Sequence, residues 1–323
     1  MKKVYLTALI IVLSVLVLII TINQYTIMHP KHVSIPKYLD SWLTTPQKHN
    51  IIIEKNHIDG IFYLIVKYKS QDIITKRVHK LRQQLERYGI NESNLQDNGL
   101  LVMLHGKNMR KEYLLPIAQR YASSGFTCIL IDLPGHGESI EPIRSYGQNY
   151  KESHYISTVL ENIKSRHKQV INKPLYLWGM SLGGTYVLSN SIHTQPKAII
   201  LVSTFDKLSY VLKEKSENLF GKYLGFVLYK LLNYSLSFFY SFNPEEVDSI
   251  KYAKQLSVPV MLFHGKKDTF IHYKHGENLF QNFSNTYKKM ILDKEGNHKN
   301  IFITSYPFYA ESIKFLLESK NKQ

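Results

Sequence analysis

From residue 100 onward, short apolar runs alternate with segments whose apolar residues recur every three or four positions. The runs "LLVMLHG", "TCILIDLPG", "LYLWGMS", "AIILVSTF", "VPVMLFHG" and "KKMILD" are too short for buried helices and read as buried strands. The intervening segments, near 112–124, 149–169, 182–193, 272–283 and 307–320, carry the helical period. This alternation predicts an α/β fold, a mostly parallel sheet flanked by crossover helices. Ahead of it, "NIIIEKNHIDGIFYLIVKYKS" holds two β-rich runs around Asp59-Gly60 and predicts a hairpin, and residues 71–90 read as an amphipathic helix. Residues 207–250 break the rhythm, being too long for an ordinary connection and dense in Leu, Phe and Tyr. They form either a helical lid over a pocket or extra core packing. Because the insertion leaves "AIILVSTF" at the carboxyl end, where open α/β sheets bind ligands, a lid is the expectation.

The first 28 residues, "MKKVYLTALIIVLSVLVLIITINQYTIM", place Lys2 and Lys3 before an uncharged stretch that is densely apolar to about Ile22. About twenty such residues span a bilayer as a helix, and the small-residue ending of a cleaved signal peptide is missing. The pattern therefore predicts a short tail over 1–3, an uncleaved transmembrane signal-anchor helix over 4–22, a juxtamembrane tether over 23–50 and an α/β domain over 51–320. Positive charge ahead of the span puts the amino terminus in the cytoplasm and the catalytic domain across the membrane, although Lys31 and Lys37 follow the far end. The tether holds three prolines and no sustained period; Tyr38 and Trp42 within it either sit at headgroup level or pack on the domain.

Composition narrows the classes further. The chain has 323 residues, 44% of them apolar, and a net charge of +16. Its basic residues are spread from end to end with no Arg-rich run, which argues against a nucleic-acid partner and for a solvated basic surface or attraction to an acidic membrane. Cys128 is the only cysteine, so no internal disulfide exists, and its apolar run makes it a buried strand residue. No HExxH or paired-ligand pattern occurs, so neither a metal nor a cofactor is expected.

The chemistry concentrates at "WGMSLGG". Any given serine meets GxSxG by chance roughly once in 400 at this glycine content, so context must decide. Ser181 has that context: a strand-like run precedes it and a helix-like pattern follows. Gly179 and Gly183 serve a turn too tight for Cβ atoms beside a nucleophile. A serine hydroxyl needs a base, and the base needs a group to fix its tautomer. In chain order, "FHGKKDTFIH" supplies Asp268 just after a strand and "DKEGNHKN" supplies His298 after the last one. Asp206 of "STFD" also ends a strand and competes for the acid's role. Backbone N–H donors for an oxyanion fall to Leu182, after the nucleophile, and to Lys107 of "LHGKNM". His136 of "DLPGHGES" reads as a brace for a tight turn.

Taken in order and spacing, "LHGKN", "DLPGHGES", "GMSLGG", "HGKKDTF" and "GNHKN" resemble the α/β-hydrolase superfamily, in particular its single-domain serine hydrolases of the monoglyceride-lipase and lysophospholipase kind, over about residues 50–320. The resemblance implies Ser181 as nucleophile, Asp268 as acid, His298 as base, and Lys107 with Leu182 as oxyanion hole. The chain departs from that pattern in the polar segment 69–98 and in Lys107, where a small or apolar residue is usual. The function expected is a membrane-anchored serine hydrolase cleaving acyl esters such as lysophospholipid or monoacylglycerol. Two alternatives stand beside it. One is a peptidase of the same fold, with Glu214, Glu217, Glu245 or Glu246 of the insertion receiving a peptide amine; the other is a non-catalytic module that binds lipid or a partner.

Overall fold

A computed structural model describes residues 2–70, 74–167, 172–304 and 307–320, with the side chains of 2, 3, 8, 9, 12, 13 and 304 outside that description. Its centre is an eight-stranded sheet in the order β1-β2-β4-β3-β5-β6-β7-β8. The strands are β1 (Ile51–Ile58), β2 (Ile61–Tyr68), β3 (Gly99–Leu104), β4 (Phe126–Ile131), β5 (Leu175–Met180), β6 (Ala198–Val202), β7 (Val260–Gly265) and β8 (Lys288–Asp293). β1 and β2 form the antiparallel hairpin, with Asp59 and Gly60 at φ 48° and 75° as its two-residue turn demands, and β2 joins β4 antiparallel. The remaining pairs are parallel. All six strands expected from residue 100 onward are present.

The helices named by their period are α4 (Leu115–Ala122), α5 (Tyr150–Ser153) with α6 (Tyr155–Arg166), α7 (Leu182–Thr194), α11 (Tyr273–Gln281) and α13 (Phe308–Ser319). The helix expected over 71–90 is α3 (Lys76–Glu86), and it buries Val78, Leu81 and Leu85. Residues 71–73 and 168–169 of the expected helices lie outside the described residues. The sheet's two faces carry separate apolar layers. Leu177, Ile199 and Leu262 face one layer with Ile156, Val187 and Leu279, and Tyr176, Ile200 and Met261 face the other with Leu81, Tyr121 and Leu316. Strands buried on both faces are why these runs are uniformly apolar rather than alternating.

Between β6 and β7 the insertion folds as α8 (Leu208–Phe220), α9 (Lys222–Tyr240) and α10 (Ser249–Ala253), α8 and α9 packing as a pair about Gly221 (φ 78°).

At the amino terminus the structure differs from the expected anchor and tether. One helix, α1, runs from Lys2 to Met28, past the predicted end at residue 22, and its last turn joins the domain core through Ile27 and Met28. Residues 37–49 fold into short helical turns, including α2 (Asp40–Thr44), and bury Leu39 and Trp42 against β1 and α3. Trp42 is therefore a packing residue stacked on His49, while Tyr38 is exposed. Among the described residues no helix is long and apolar enough to cross a membrane. The last turn of α1 is fixed because Ile27 and Met28 find apolar partners on the domain, with Ile20 packed partly against them two turns earlier, a long-range effect that local periodicity does not encode.

Candidate active site

Register aligns the strand ends. Leu104 pairs with Gly179, Met180 with Val202 and Gly265 with Asp293, so the loops after β3, β5, β6, β7 and β8 leave from one edge of the sheet. Lys107, Ser181, Leu182, Asp206, Asp268 and His298 all follow strand ends on that edge.

Ser181 stands between β5 and α7 at φ 52° and ψ −118°, a conformation that costs a non-glycine residue on the order of 1–3 kcal/mol. The bond from its N–H to the Val202 carbonyl, 2.8 Å, pins the turn. The flanking glycines have steric reasons. A Cβ on Gly179 would lie 2.5 Å from the Gly183 carbonyl oxygen, and one on Gly183 would lie 2.3 Å from that of Leu104. Gly106 brings the loop after β3 against Ser181: a Cβ there would stand 3.4 Å from the Ser181 Cβ.

Asp268 and His298 meet directly, with His298 Nδ1 2.7 Å from Asp268 Oδ2. The other carboxylate oxygen accepts the N–H groups of Phe270 and Ile271 at 2.9 and 2.8 Å. Burial would raise the Asp268 pKa, but hydrogen bonds from His264 and His298, the charge of His298 and the Ile271 N–H outweigh it and hold the carboxyl well below its ordinary range. An ionised acid on Nδ1 fixes the tautomer of the ring, leaves Nε2 free of that contact and stabilises an imidazolium. Among the described residues no hydrogen bond joins the Ser181 Oγ to that ring; such contacts commonly tighten only when substrate is bound.

The competing carboxylate is engaged elsewhere. Asp206 Oδ1 lies 2.6 Å from Nδ1 of His275, and Asp206 Oδ2 accepts from Asn278 at 2.6 Å. The other face of His275 reaches Glu214 of α8, Nε2 to Oε2 2.9 Å. Two strand-end aspartates thus hold two different histidines.

Leu182 is the first residue of α7, where the N–H has no intrahelical acceptor and the helix dipole favours negative charge. Among the described residues neither its N–H nor that of Lys107 donates a hydrogen bond, so both remain available. The Lys107 side chain turns away from solvent and donates to the Ile27 carbonyl at 2.8 Å and the Tyr146 hydroxyl at 2.7 Å. Burial, with repulsion from Lys215, lowers its pKa to about 7. His136 is fully buried with Nδ1 2.8 Å from the Pro134 carbonyl, in keeping with a loop brace.

The sequence reading missed three residues here. His264, at the end of β7, lies 3.5 Å from Asp268 through Nε2. Phe270 packs its ring 4.9 Å from that of His298. Lys215 of α8 sits with Nζ 3.3 Å from the Phe270 ring centroid. "FHG" at a strand end was a visible signal for His264, whereas a lysine in an insertion carries none.

With this geometry in hand, comparison with known proteins gives consistent relatives. A family model described as "Serine aminopeptidase, S33" matches residues 96–252. The chain is 24% identical to the uncharacterized protein YfhR of Escherichia coli over 238 residues, covering 70% of this chain and 74% of that protein. It is 26% identical to the lysophosphatidylserine lipase ABHD12 of Danio rerio over 190 residues, 56% of this chain and 46% of that one. Among solved structures it resembles the Pyrococcus furiosus esterase Pf2001 (TM-score 0.62, 14% identity, 90% of this chain and 98% of the other). It also resembles a bacterial membrane phospholipase A (TM-score 0.53, 15% identity, 99% and 100%). The family match over residues 96–252, together with these relatives, supports an α/β-hydrolase fold and a serine ester hydrolase.

Proposed function

We propose that the protein cleaves carboxylic esters of acyl chains, such as lysophospholipid or monoacylglycerol, through an acyl-enzyme on Ser181. The observation that carries this reading is the Asp268–His298 pair, which follows strand ends on the same edge of the sheet as the strained Ser181 elbow. In the sequence of steps, His298 Nε2 takes the Ser181 proton as Oγ attacks the ester carbonyl. The N–H groups of Leu182 and Lys107 receive the oxyanion, and His298 then returns the proton to the leaving alcohol. Water repeats the cycle to release the acid.

The insertion serves as a lid on this reading, since α8 reaches the triad through Lys215 and Phe270. Membrane association through α1 belongs to the same proposal. Its support is the exposure of Val4, Tyr5, Ile10, Ile11, Val17 and Leu18 around the helix. A peptidase is less well served. Glu214 is taken by His275, Glu245 by Tyr229 at 2.5 Å and Glu217 by Lys213 at 3.9 Å, while Glu246 accepts from Asn243 at 3.4 Å. Those carboxylates already hold the insertion together.

The test uses the full chain in detergent micelles with a fluorophosphonate probe and p-nitrophenyl esters of increasing acyl length. Labelling at Ser181, lost in His298→Ala, and turnover reduced at least about 10³-fold in Ser181→Ala and His298→Ala are the expected results. A folded wild-type protein that neither labels nor turns over would refute the reading in favour of a binding module.

A further inference from the structure

Lys215 is a cation without a close ion-pair partner, placed one aromatic ring from His298. Among the described residues it makes no ion pair and no hydrogen bond to a carboxylate; its ammonium rests on the Phe270 ring instead. Phe270 touches His298, so the ammonium lies one aromatic ring away from the base. The charge of Lys215 is favoured by Asp268 and Glu214 and opposes that of Lys107, which follows β3 on the same edge of the sheet. The adjacent Glu214 favours this charge at a distance but makes no ion pair with it among the described residues, one of its oxygens being bound to His275.

Taking a lysine half out of water without a partner is unfavourable, and burial lowers its pKa to about 8. At neutral pH it still carries most of its charge, and so does part of the Lys107 population. Two lysines therefore bring positive charge to the edge that carries Ser181 and His298, and such charge attracts anions. A ligand bearing negative charge would restore the missing partner and remove the cost. A neutral alcohol group would leave it in place.

We propose that Lys215 is a specificity residue that binds an anionic, phosphate-bearing alcohol portion of the substrate, so that the preferred ester is a lysophospholipid rather than a neutral monoacylglycerol. This rests on the ester-hydrolase reading above and decides between the two substrates named there. The acyl chain is attacked at Ser181 while the phosphate lies toward α8, against the Lys215 ammonium and within the field of Lys107. Lysine suits this role as a point charge on a flexible stem, able to follow the head group.

The experiment compares 1-lauroyl lysophosphatidic acid with 1-lauroylglycerol, which share an acyl chain and an ester, using the full chain in mixed micelles. Wild type is expected to favour the phosphate ester in kcat/KM by tenfold or more. Lys215→Met should lower that ratio about tenfold, mainly through KM for the phosphate ester, and Lys215→Arg should restore most of it. Raising ionic strength on the wild type should erode the same ratio, which keeps the test open if Lys215→Met fails to fold. A ratio that Lys215→Met and salt leave unchanged, or a wild type that favours the neutral ester, would overturn the assignment of Lys215 while leaving an ester hydrolase standing. Failure to hydrolyse either ester, together with no fluorophosphonate labelling at Ser181, would remove the ester reading itself and this inference with it.

Discussion

Asp268 and Asp206 look alike in the sequence, each a few residues past the end of a strand, and their side-chain partners separate them. Asp268 holds His298 and is held by two backbone N–H groups; Asp206 holds His275, which is tied to α8. Asp268→Asn should therefore lower kcat by about 10³- to 10⁴-fold with little change in melting temperature, because the ring loses its tautomer and its stabilising charge. Asp206→Asn should do the reverse, costing about 1–3 kcal/mol of stability by weakening a buried charged network while turnover survives. Thermal melts beside steady-state kinetics decide it, and the opposite pattern would mean that the acid has been assigned to the wrong carboxylate. Ser181, its glycines and His298 were legible because the steric and chemical demands of an elbow fall on consecutive or motif-bound residues. The choice between the two aspartates was legible only in order of likelihood, since it depends on which histidine the fold brings within 3 Å of each.

At the level of elements, two devices fix what surrounds the site. The chain leaving α1 runs along the loop after β3 and is gripped three times. Lys107 Nζ donates to the Ile27 carbonyl, the Lys31 N–H donates to Asn108 Oδ1 at 2.8 Å, and Arg110 donates to the Val33 carbonyl at 3.4 Å. Tyr146 closes the knot, its hydroxyl 2.6 Å from the same Ile27 oxygen and its ring stacked 5.2 Å from Phe242 beyond α9. This explains why a lysine stands where relatives of this kind have a small residue: its carbonyl partner is a helix-terminal oxygen with no intrahelical donor. Deleting residues 2–28 removes that partner, so the truncated chain should show a kcat for a short p-nitrophenyl ester at least about tenfold below the full chain, with KM little changed, as a displaced oxyanion donor requires. Equal kcat in both forms would show that the segment only decorates the loop. The second device is the His275 bridge between Asp206 and Glu214. Although burial pulls the His275 pKa down, these two carboxylates raise it above its ordinary value, so its contribution to stability is complete below about pH 6.5 and is lost as pH rises through the folded pKa. The Asp206 pKa, lowered chiefly by His275 and Asn278 against burial, sets the acid limb: that contribution is lost as pH falls through its folded value. Melting temperature should therefore decline from mildly acidic to alkaline pH in the wild type, and His275→Gln should flatten that decline. Neither device was legible beforehand, because each joins residues more than sixty positions apart through side-chain polar contacts that no periodicity marks.

For the molecule as a whole, the sheet and its crossover helices followed from alternation alone, while the amino-terminal segment did not, since one end of the same helix is core and the other is bare. α1 packs on α9, and both present large apolar side chains outward. On α9, Tyr223, Val227, Leu231, Tyr234 and Phe238 recur at helical spacing and are 46–88% exposed; on α1, Ile11, Val15, Leu18, Ile22 and Tyr25 do the same at 49–60%. A monomer in water rarely exposes so continuous an apolar surface, and lysines 213, 222 and 230 lie along the insertion beside it. An apolar face edged with positive charge fits an anionic bilayer, whose surface attracts each nearby lysine by about 1 kcal/mol. Two forces of different origin then predict two separable responses. Tyr234→Ser with Phe238→Ser should weaken binding to vesicles of mixed neutral and anionic phospholipid through lost burial, and salt should not restore it. Lys222→Gln with Lys230→Gln should weaken binding only at low ionic strength and only to vesicles that contain anionic lipid. Neither pair touches the triad, so hydrolysis of a soluble butyrate ester should stay near the wild-type rate while hydrolysis of vesicle-borne ester falls with binding. Co-sedimentation with vesicles, measured beside both hydrolysis rates, tests this directly: wild-type levels of sedimentation in both double variants would mean that the α1–α9 face is not what meets the lipid.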